Sequence, residues 1–291
     1  MNTKQLVCYI GGVLLALFIL TPVFWMGITS LKLEKDVAKR PLEFWPSHGW
    51  TLVNYNYLFL GGKLDPKLGY IWATPGVYKD IWITFTNSII ISLSCVVINI
   101  IAAGLGGYGL ARTTIRGRDA IFTSLLITQM IPVAALIVPL YIMFKAIGIH
   151  DTLLALIMPY VAVQLPVSIW ILRGFFENIP IEFEEAAYID GASRIQTIIK
   201  VVLPLAVPGL AAVAVFSFLG AFGEFFMAMT LTSSISARPF TVTVSQFALE
   251  DNLTYAILCT VGTFSIIPSV VIAILFRKFL IQGLAAGGLK M

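Results

Sequence analysis

The residue types that most often carry out chemistry occur in this chain without the spacing that such chemistry needs. The string Gly104-Leu-Gly106-Gly107-Tyr-Gly109 matches GxGxxG, which cradles a pyrophosphate where it joins a strand to a helix. Here it ends a long uncharged run, so we expect small residues that let two membrane helices approach closely. No GxxxxGK[ST] string occurs, and no lysine is followed by Ser or Thr, so the chain has no Walker A cradle for ATP.

The histidines and cysteines also lack the groupings that metal binding or thiol chemistry needs. The two histidines, His48 and His150, are far apart and belong to no HExxH or His/Cys cluster. The three cysteines, Cys8, Cys95 and Cys259, are isolated within apolar runs and show no CxxC spacing. We therefore expect a non-enzymatic chain with no catalytic residue, no metal site and no cofactor of its own.

The elements that must position the remaining polar residues are membrane helices. Of 291 residues, 58% are hydrophobic and only 12% are charged, and the mean hydropathy is +0.92. A span needs about 20 mostly apolar residues, because the hydrocarbon core is about 30 Å thick. Six uncharged intervals meet that length, and each is bounded by charge: 5–31, 81–111, 120–144, 152–172, 201–223 and 252–276. The fold class is therefore predicted to be all-α and integral to the lipid bilayer, with six transmembrane helices.

The intervals divide the chain into two predicted parts. Residues 1–80 form a first membrane anchor and a long external loop, and residues 81–291 form a five-helix core with a polar loop at 173–200 and a C-terminal tail. The basic residues of the short loops lie mostly on the side of the N-terminus, which predicts that both termini are cytoplasmic. The basic cluster at 32–40 argues for the opposite orientation. The net charge of +4 gives no nucleic-acid-binding surface.

Ionisable residues are absent from the predicted spans. A carrier driven by protons or sodium is expected to bury one near the bilayer centre. The polar residues of the spans include Asn87, Gln129 and Gln164, which either line a path for a neutral polar solute or bond a neighbouring helix. A transporter of this kind must take its energy from a partner.

The loop at 173–200 is predicted to form two short helices. Pro180 suits the first helical position, Gly191 suits the left-handed residue that ends a helix, and Ser193 suits an N-cap. Periodicity predicts that the second helix carries a single apolar stripe, formed by Ile195, Ile198, Ile199 and Val202. An amphipathic pair lying flat on the membrane surface fits the same pattern.

This loop resembles the EAA loop of ABC-importer permeases. The family pattern EAA-x3-G-x9-I-x-LP is met by Glu185-Ala186-Ala187-Tyr-Ile-Asp-Gly191, followed after nine residues by Val201-Val-Leu203-Pro204, with Val201 in place of Ile.

Further strings are similar to those of the maltose-type (MalG-like) carbohydrate permeases. They are Asn87-Ser88, Gly107-Tyr-Gly109-Leu-Ala111-Arg112, Phe222-Gly223-Glu224-Phe225 and the tail Gln282-Gly283-Leu-Ala-Ala-Gly287-Gly288-Leu-Lys290.

The resemblance implies a type I ABC importer permease fold in which the EAA helix pair faces the cytoplasm and docks into an ATP-binding subunit. Glu185 would make polar contacts there, and Gly191 would permit the sharp turn. The tail would also reach the ATP-binding subunit, and loop 224–251 would contact an extracytoplasmic sugar-binding protein. Glu224 and Phe225 become candidates for the translocation path.

The implied assembly contains two ATP-binding subunits that use ATP and Mg²⁺, a second homologous permease, and the binding protein, in a bacterial plasma (inner) membrane. The implied substrate is a di- or oligosaccharide, with maltose or maltodextrin first. A non-sugar ABC importer and a secondary carrier stay as alternatives. Prolines in or beside the spans either let them bend during alternating access or hold static kinks: Pro132, Pro139, Pro159, Pro166, Pro204 and Pro208.

Overall fold

The computed structural model describes residues 3–39, 43–70, 77–114, 116–249 and 254–288, and every regular element in these ranges is helical, which confirms the all-α prediction. The α-helices, in chain order, are α1 (Thr3–Ser30), α2 (Glu34–Val37), α3 (Val53–Leu60), α4 (Val77–Arg112), α5 (Arg118–Ile127), α6 (Val133–Ala146), α7 (Leu154–Asn178), α8 (Glu182–Ile189), α9 (Arg194–Thr197), α10 (Leu203–Leu205), α11 (Val207–Phe222), α12 (Phe226–Leu231), α13 (Phe240–Leu249) and α14 (Tyr255–Gly288). Short 3-10 turns occur at Pro66–Leu68 and Thr128–Met130, and a π-helical turn occurs at Ile198–Val202.

Four helices are long and apolar enough to cross a membrane unbroken: Lys4–Ser30, Lys79–Arg112, Leu154–Asn178 and Tyr255–Phe279. Two bent pairs of helices meet the same test when each pair is taken together: Arg118–Met130 with Val133–Ala146 at 91°, and Arg194–Leu205 with Val207–Phe222 at 75°. Counting each bent pair as one span gives six, the predicted number, at the predicted places. The prolines of these intervals were expected to bend or kink the spans, and the third and the fifth are bent beside Pro132 and Pro208.

Proline chemistry explains both bends. Ile131 is extended, with ψ 120°, because the ring of Pro132 disfavours the helical conformation in the preceding residue. At the second bend, Ala206 leaves helical geometry two residues before Pro208, which lies in the first turn of α11. A proline there needs no N–H donor, so it starts a helix without loss. By contrast, Pro139, Pro159 and Pro166 lie inside helices that continue through them.

The contacts between residues divide the chain into two compact units. The first consists of Met1–Thr84 and Val242–Ile267, and the second consists of Phe85–Thr241 and Pro268–Met291. This grouping describes packing only, so the division at residue 80 stays a prediction. In the first unit the buried side chain of Asn54 ties the first loop together, donating to the carbonyls of Ser30 and Lys32, both at 2.9 Å. Burial raises the pKa of the Glu34 carboxyl, although the N–H groups of Ala256 and Tyr255 that bond it act in the opposite direction.

The core of the second unit forms where α4, α7 and α11 pack together. Its buried members come from four segments and include Ala103, Leu172, Phe176, Val202, Ala206 and Val213. A Cβ on Gly107 would lie 3.0 Å from the backbone nitrogen of Arg173, and one on Gly106 would lie 3.3 Å from Cδ1 of Ile169. Close helix approach is therefore confirmed for Gly106 and Gly107. It is not found for Gly104 and Gly109, whose added Cβ would meet nothing within 4 Å.

Candidate functional site

The loop between α7 and α11 contains the two predicted short helices, α8 and α9. Gly191 ends the first with a left-handed φ of +81°, a conformation that glycine adopts without steric cost. Ser193 caps the second, because its hydroxyl accepts from the N–H of Gln196 and the Gln196 side chain accepts from the N–H of Ser193. Both boundaries confirm the prediction. The predicted start is wrong, since α8 begins at Glu182 and not at Pro180.

The single apolar stripe predicted on the second helix is also wrong. Val202 is fully buried and Ile198 is half-buried, but Ile195 and Ile199 are 70% and 58% exposed. The π-helical turn at Ile198–Val202 explains the difference. It adds a residue to the turn, so side chains spaced for an α-helix no longer fall on one face.

A buried carboxylate attaches α8 to the end of α4. Glu184 is only 1% exposed. Its Oε2 accepts from Tyr108 Oη at 2.7 Å, and its Oε1 accepts from Arg112 Nε at 2.7 Å. Arg112 also donates through Nη2 to the carbonyl of Ile179 at 2.6 Å. Glu184 was not among the predicted site residues. A signal was present, because Tyr108 and Arg112 belong to the string that resembles the family, but the sequence does not show which acid they meet.

The opposite surface of α8 is open. Glu185 and Ala186 are exposed, Ala187 is half-buried, and Gly191 is exposed at the turn. Apolar side chains lie among them, and Ile189 is 87% exposed. The second half of the motif lies elsewhere, in α10, where Leu203 packs against the core and Pro204 is exposed. The structure therefore places the motif on a helix with a free face and at the bend that leads into α11.

Glu224 lies between α11 and α12, and its carboxylate is engaged by the protein. Oε1 accepts from the N–H of Met227 at 2.9 Å, and Oε2 accepts from the N–H of Ala228 at 3.1 Å and from Tyr160 Oη at 2.6 Å. The neighbouring Phe225 is half-buried. These bonds give Glu224 a role in holding α12 to α7. Its place in the translocation path, and that of Phe225, stay predictions.

The segment 232–240, which follows α12 and ends at the first residue of α13, is bonded to the first half of α4. The side-chain amide of Asn87 donates to the carbonyls of Ile235, Ser236 and Arg238 at 3.2, 3.0 and 2.9 Å. Ser88 Oγ accepts from the N–H of Phe240 at 2.8 Å. The Asn-Ser pair of the sequence therefore fixes the shape of this segment.

Asp151 holds the same segment from the turn before α7. Its Oδ1 accepts from the N–H groups of Ser233 and Ser234 at 2.7 and 3.0 Å. Burial alone would raise the pKa of this carboxyl, but the two N–H bonds outweigh it and leave the pKa below its usual value.

The other polar residues of the spans bond neighbouring helices. Asn99 on α4 donates to Gln164 Oε1 at 3.0 Å and to Ser217 Oγ at 3.1 Å, which joins α4, α7 and α11 inside the core. Gln129 donates to the carbonyl of Val163 at 2.9 Å. In the described ranges, no three His, Cys, Asp or Glu residues lie close enough to hold a metal ion.

Comparison with known proteins identifies the family to which the chain belongs. Residues 100–285 match the family described as "Binding-protein-dependent transport system inner membrane component". The chain belongs to this family. It is a multi-pass membrane component of a transport system, in agreement with its apolar helices.

The relatives have nearly the same length as the chain. The trehalose/maltose transport system permease protein MalG of Thermococcus litoralis is 33% identical over 288 residues, which cover 99% of this chain and 97% of that protein. The sulfoquinovosyl glycerol transport system permease protein SmoH of Agrobacterium fabrum is 31% identical, over 93% of this chain and 89% of that protein.

Among solved structures, a chain of a bacterial ABC transporter that imports the acidic polysaccharide alginate superposes with a TM-score of 0.77 at 22% identity, over 96% of this chain and 98% of that chain. This match confirms the type I ABC importer permease fold.

Proposed function

We propose that this chain is a permease subunit of an ATP-driven importer that carries a di- or oligosaccharide delivered by an extracytoplasmic binding protein. The observation that carries the proposal is the surface of α8. That helix is attached to α4 through one buried side chain, Glu184, while most of its other residues are exposed.

The exposed surface of α8 and α9 has the composition of a protein-binding site. It combines the apolar side chains of Phe183, Tyr188, Ile189 and Ile195 with the carboxylate of Glu185. Contiguous exposed apolar side chains rimmed by polar groups mark interaction sites, because burial against a partner removes their surface from water. An ATP-binding subunit with an apolar cleft and a basic rim would fit this surface. It would also supply the nucleotide cradle that the chain lacks, and with it the ATP and Mg²⁺.

Orientation follows from the number of spans and the basic residues of the short loops. With six spans, the two termini and α8 lie on one side, and the positive-inside rule makes that side cytoplasmic. Segment 232–240 then lies on the outer side, where a binding protein would deliver the sugar. A second homologous permease would complete the translocation path, as the resemblance implies.

The sugar class rests on the relatives, whose names refer to trehalose, maltose and sulfoquinovosyl glycerol. Purified binding protein, mixed with a panel of neutral and acidic oligosaccharides, tests the class by thermal shift. Stabilisation by an amino acid or an inorganic ion, and not by any sugar, would contradict it.

Docking through α8 is tested by crosslinking in the assembled complex. Ile189→Cys places a thiol on the exposed surface of α8, and Leu60→Cys is a matched exposed control at the end of α3. With the exposed Cys8 changed to Ser, we expect a short bifunctional reagent to join position 189, but not position 60, to an ATP-binding subunit. Purification of the chain without any ATP-binding subunit would refute the proposal and favour an amphipathic pair on the membrane surface.

A further inference from the structure

We infer that α4 transmits movement of α8 to segment 232–240, with Glu184, Arg112 and Tyr108 forming the joint at the α8 end. This inference rests on the proposed docking of α8 and adds positioning residues to it. Its support is that α4 bonds both elements: α8 through Tyr108 and Arg112 near its last turn, and segment 232–240 through Asn87 and Ser88 in its first half.

The joint attaches α8 to α4, in addition to the packing of α8 against α9 and against the π-helical turn at Ile198–Val202. Glu184 is the one buried residue among the eight of α8. Without its carboxylate, α8 would lose these bonds to α4 and keep its chain connections and its packing against α9 and the π-helical turn. Arg112 bonds both Glu184 and the carbonyl of Ile179, so it holds the start of α8 and the end of α7 to α4 together.

The joint is also sheltered. The side chain of Arg112 is 11% exposed and that of Glu184 is 2% exposed. A charged pair in such surroundings is bonded more strongly than one on a surface, because little water competes for its groups. The ring of Tyr108 packs edge-on against Phe176 of α7, with centroids 5.7 Å apart, which fixes the position of its hydroxyl.

The helix between the two attachments is suited to transmit a displacement. Asn87 and Tyr108 are 21 positions apart on α4, which corresponds to about 32 Å at a rise of about 1.5 Å per residue. Among the four unbroken spans, α4 alone has no internal proline, whereas α1 contains Pro22, α7 contains Pro159 and Pro166, and α14 contains Pro268. Proline removes a backbone hydrogen bond and bends a helix, so α4 is free of the bends that proline introduces.

In its first half, α4 holds segment 232–240 through neutral hydrogen bonds to the backbone. Because Asn87 bonds three carbonyls of this segment, a shift or rotation of α4 must displace the segment or break those bonds. Docking of the ATP-binding subunit on one side and of the binding protein on the other would then be coupled reciprocally, as linkage requires.

The test uses the complete transporter in proteoliposomes, with its ATP-binding subunits and binding protein. Glu184→Gln removes the charge of the joint and keeps the shape of the side chain. Glu182→Gln is the matched control, since it makes the same change on the same helix at an exposed position. We expect Glu184→Gln to retain its ATP-binding subunits on purification and to lower the amount of sugar transported per ATP hydrolysed by tenfold or more. Glu182→Gln should stay within twofold of the unmodified protein.

A second variant covers the case in which Glu184→Gln does not assemble. Arg112→Leu combined with Glu184→Leu replaces the buried pair by apolar side chains, an exchange that often preserves folding. Assembly with an unchanged ratio of sugar to ATP in either variant would overturn the inference. Loss of the ATP-binding subunits from both variants would overturn it too, because Glu184 would then act on docking alone. If the unmodified chain binds no ATP-binding subunit, the proposed function itself fails.

Discussion

Helix α8 and segment 232–240 are both short, both lie between spans, and both are attached to α4, yet they are held in different ways. The attachment of α8 is one ion pair with one buried side chain, and most of the helix surface is exposed. Segment 232–240 is attached by neutral bonds from Asn87 and Ser88 to its backbone, and several of its side chains, including Ala237 and Phe240, are buried.

The difference indicates what each region contributes. Bonds to successive backbone groups determine the path of a segment, so 232–240 is a part of the permease core with a fixed shape. A single charged joint determines the position of α8 but leaves its surface free, as a docking element requires. The following predictions test this contrast, from the largest expected change in stability to the smallest.

Removal of the Glu184 carboxylate should have the largest effect. Glu184→Ala leaves the charge of Arg112 in a poorly hydrated site, and breaking such a buried pair costs about 3–5 kcal/mol. We expect a clear fall in the melting temperature of the purified permease. This temperature is measured by size-exclusion chromatography of heated samples. Glu182→Ala, at an exposed position of the same helix, is the control and should change it little. Equal melting of the two variants would show that the joint does not hold α8.

Asn87→Ala tests the attachment of segment 232–240 to the first half of α4. It deprives three backbone carbonyls of their donor, and an unsatisfied buried polar group costs about 1–3 kcal/mol. We expect a lower melting temperature and faster proteolysis within 232–240. Asn178→Ala, which removes an exposed amide bonded to the carbonyl of Gly174, should cause less than about half the change. If cleavage within 232–240 does not accelerate, the segment owes its shape to packing instead.

Ser193→Ala should weaken the start of α9 by about 1 kcal/mol, because the cap supplies a bond to an otherwise unpaired N–H. Hydrogen exchange of the backbone should increase in α9 while α4 stays protected. Ser193→Asp restores an N-cap acceptor and serves as the control. Increased exchange throughout α4 would mean that the two helices unfold together.

Ile189→Asp should leave the stability of the permease within about 0.5 kcal/mol, since surface substitutions away from special features have small effects. The substitution should instead weaken binding of the ATP-binding subunits, because the new carboxylate would be poorly solvated in an apolar cleft. We expect the ATP-binding subunits to be lost on purification while the melting temperature of the isolated permease stays the same. Retention of both subunits would place the docking surface elsewhere.

Acid should affect segment 232–240 only at low pH. The pKa of Asp151 lies below its usual value in the folded protein, so its bonds contribute stability above the pKa of the unfolded chain, about 3.9. That contribution is lost as the pH falls through the lower, folded value. Between pH 7 and pH 5, proteolysis of the segment should therefore stay constant, and Asp151→Asn should show the same flat profile at a higher rate. A rise in cleavage near pH 6 in the unmodified protein would contradict the assignment.

Local features of the sequence were sufficient to predict the fold class and the outline of the candidate functional site. The uncharged intervals predicted six spans because the length of a span depends only on hydrophobic residues and bilayer thickness. Gly191 and Ser193 predicted the ends of α8 and α9 because a left-handed turn and an N-cap depend on single residue types. The stripe on α9 was mispredicted because a π-helical turn has no clear sequence signature, and the bends at Pro132 and Pro208 were predicted without their angles.

By itself, the sequence determined that the protein is a multi-pass membrane protein, and its motif indicated the family to which the chain belongs. Only the tertiary structure decided which acid of α8 is buried. Glu182, Glu184 and Glu185 are similar in sequence, and the rotation of α8 selects Glu184 because its donors, Tyr108 and Arg112, come from α4, 76 and 72 residues earlier. The same holds for Asn87, whose acceptors lie almost 150 residues away in the chain. Residue type determines what a side chain can bond, and packing determines which partner it reaches.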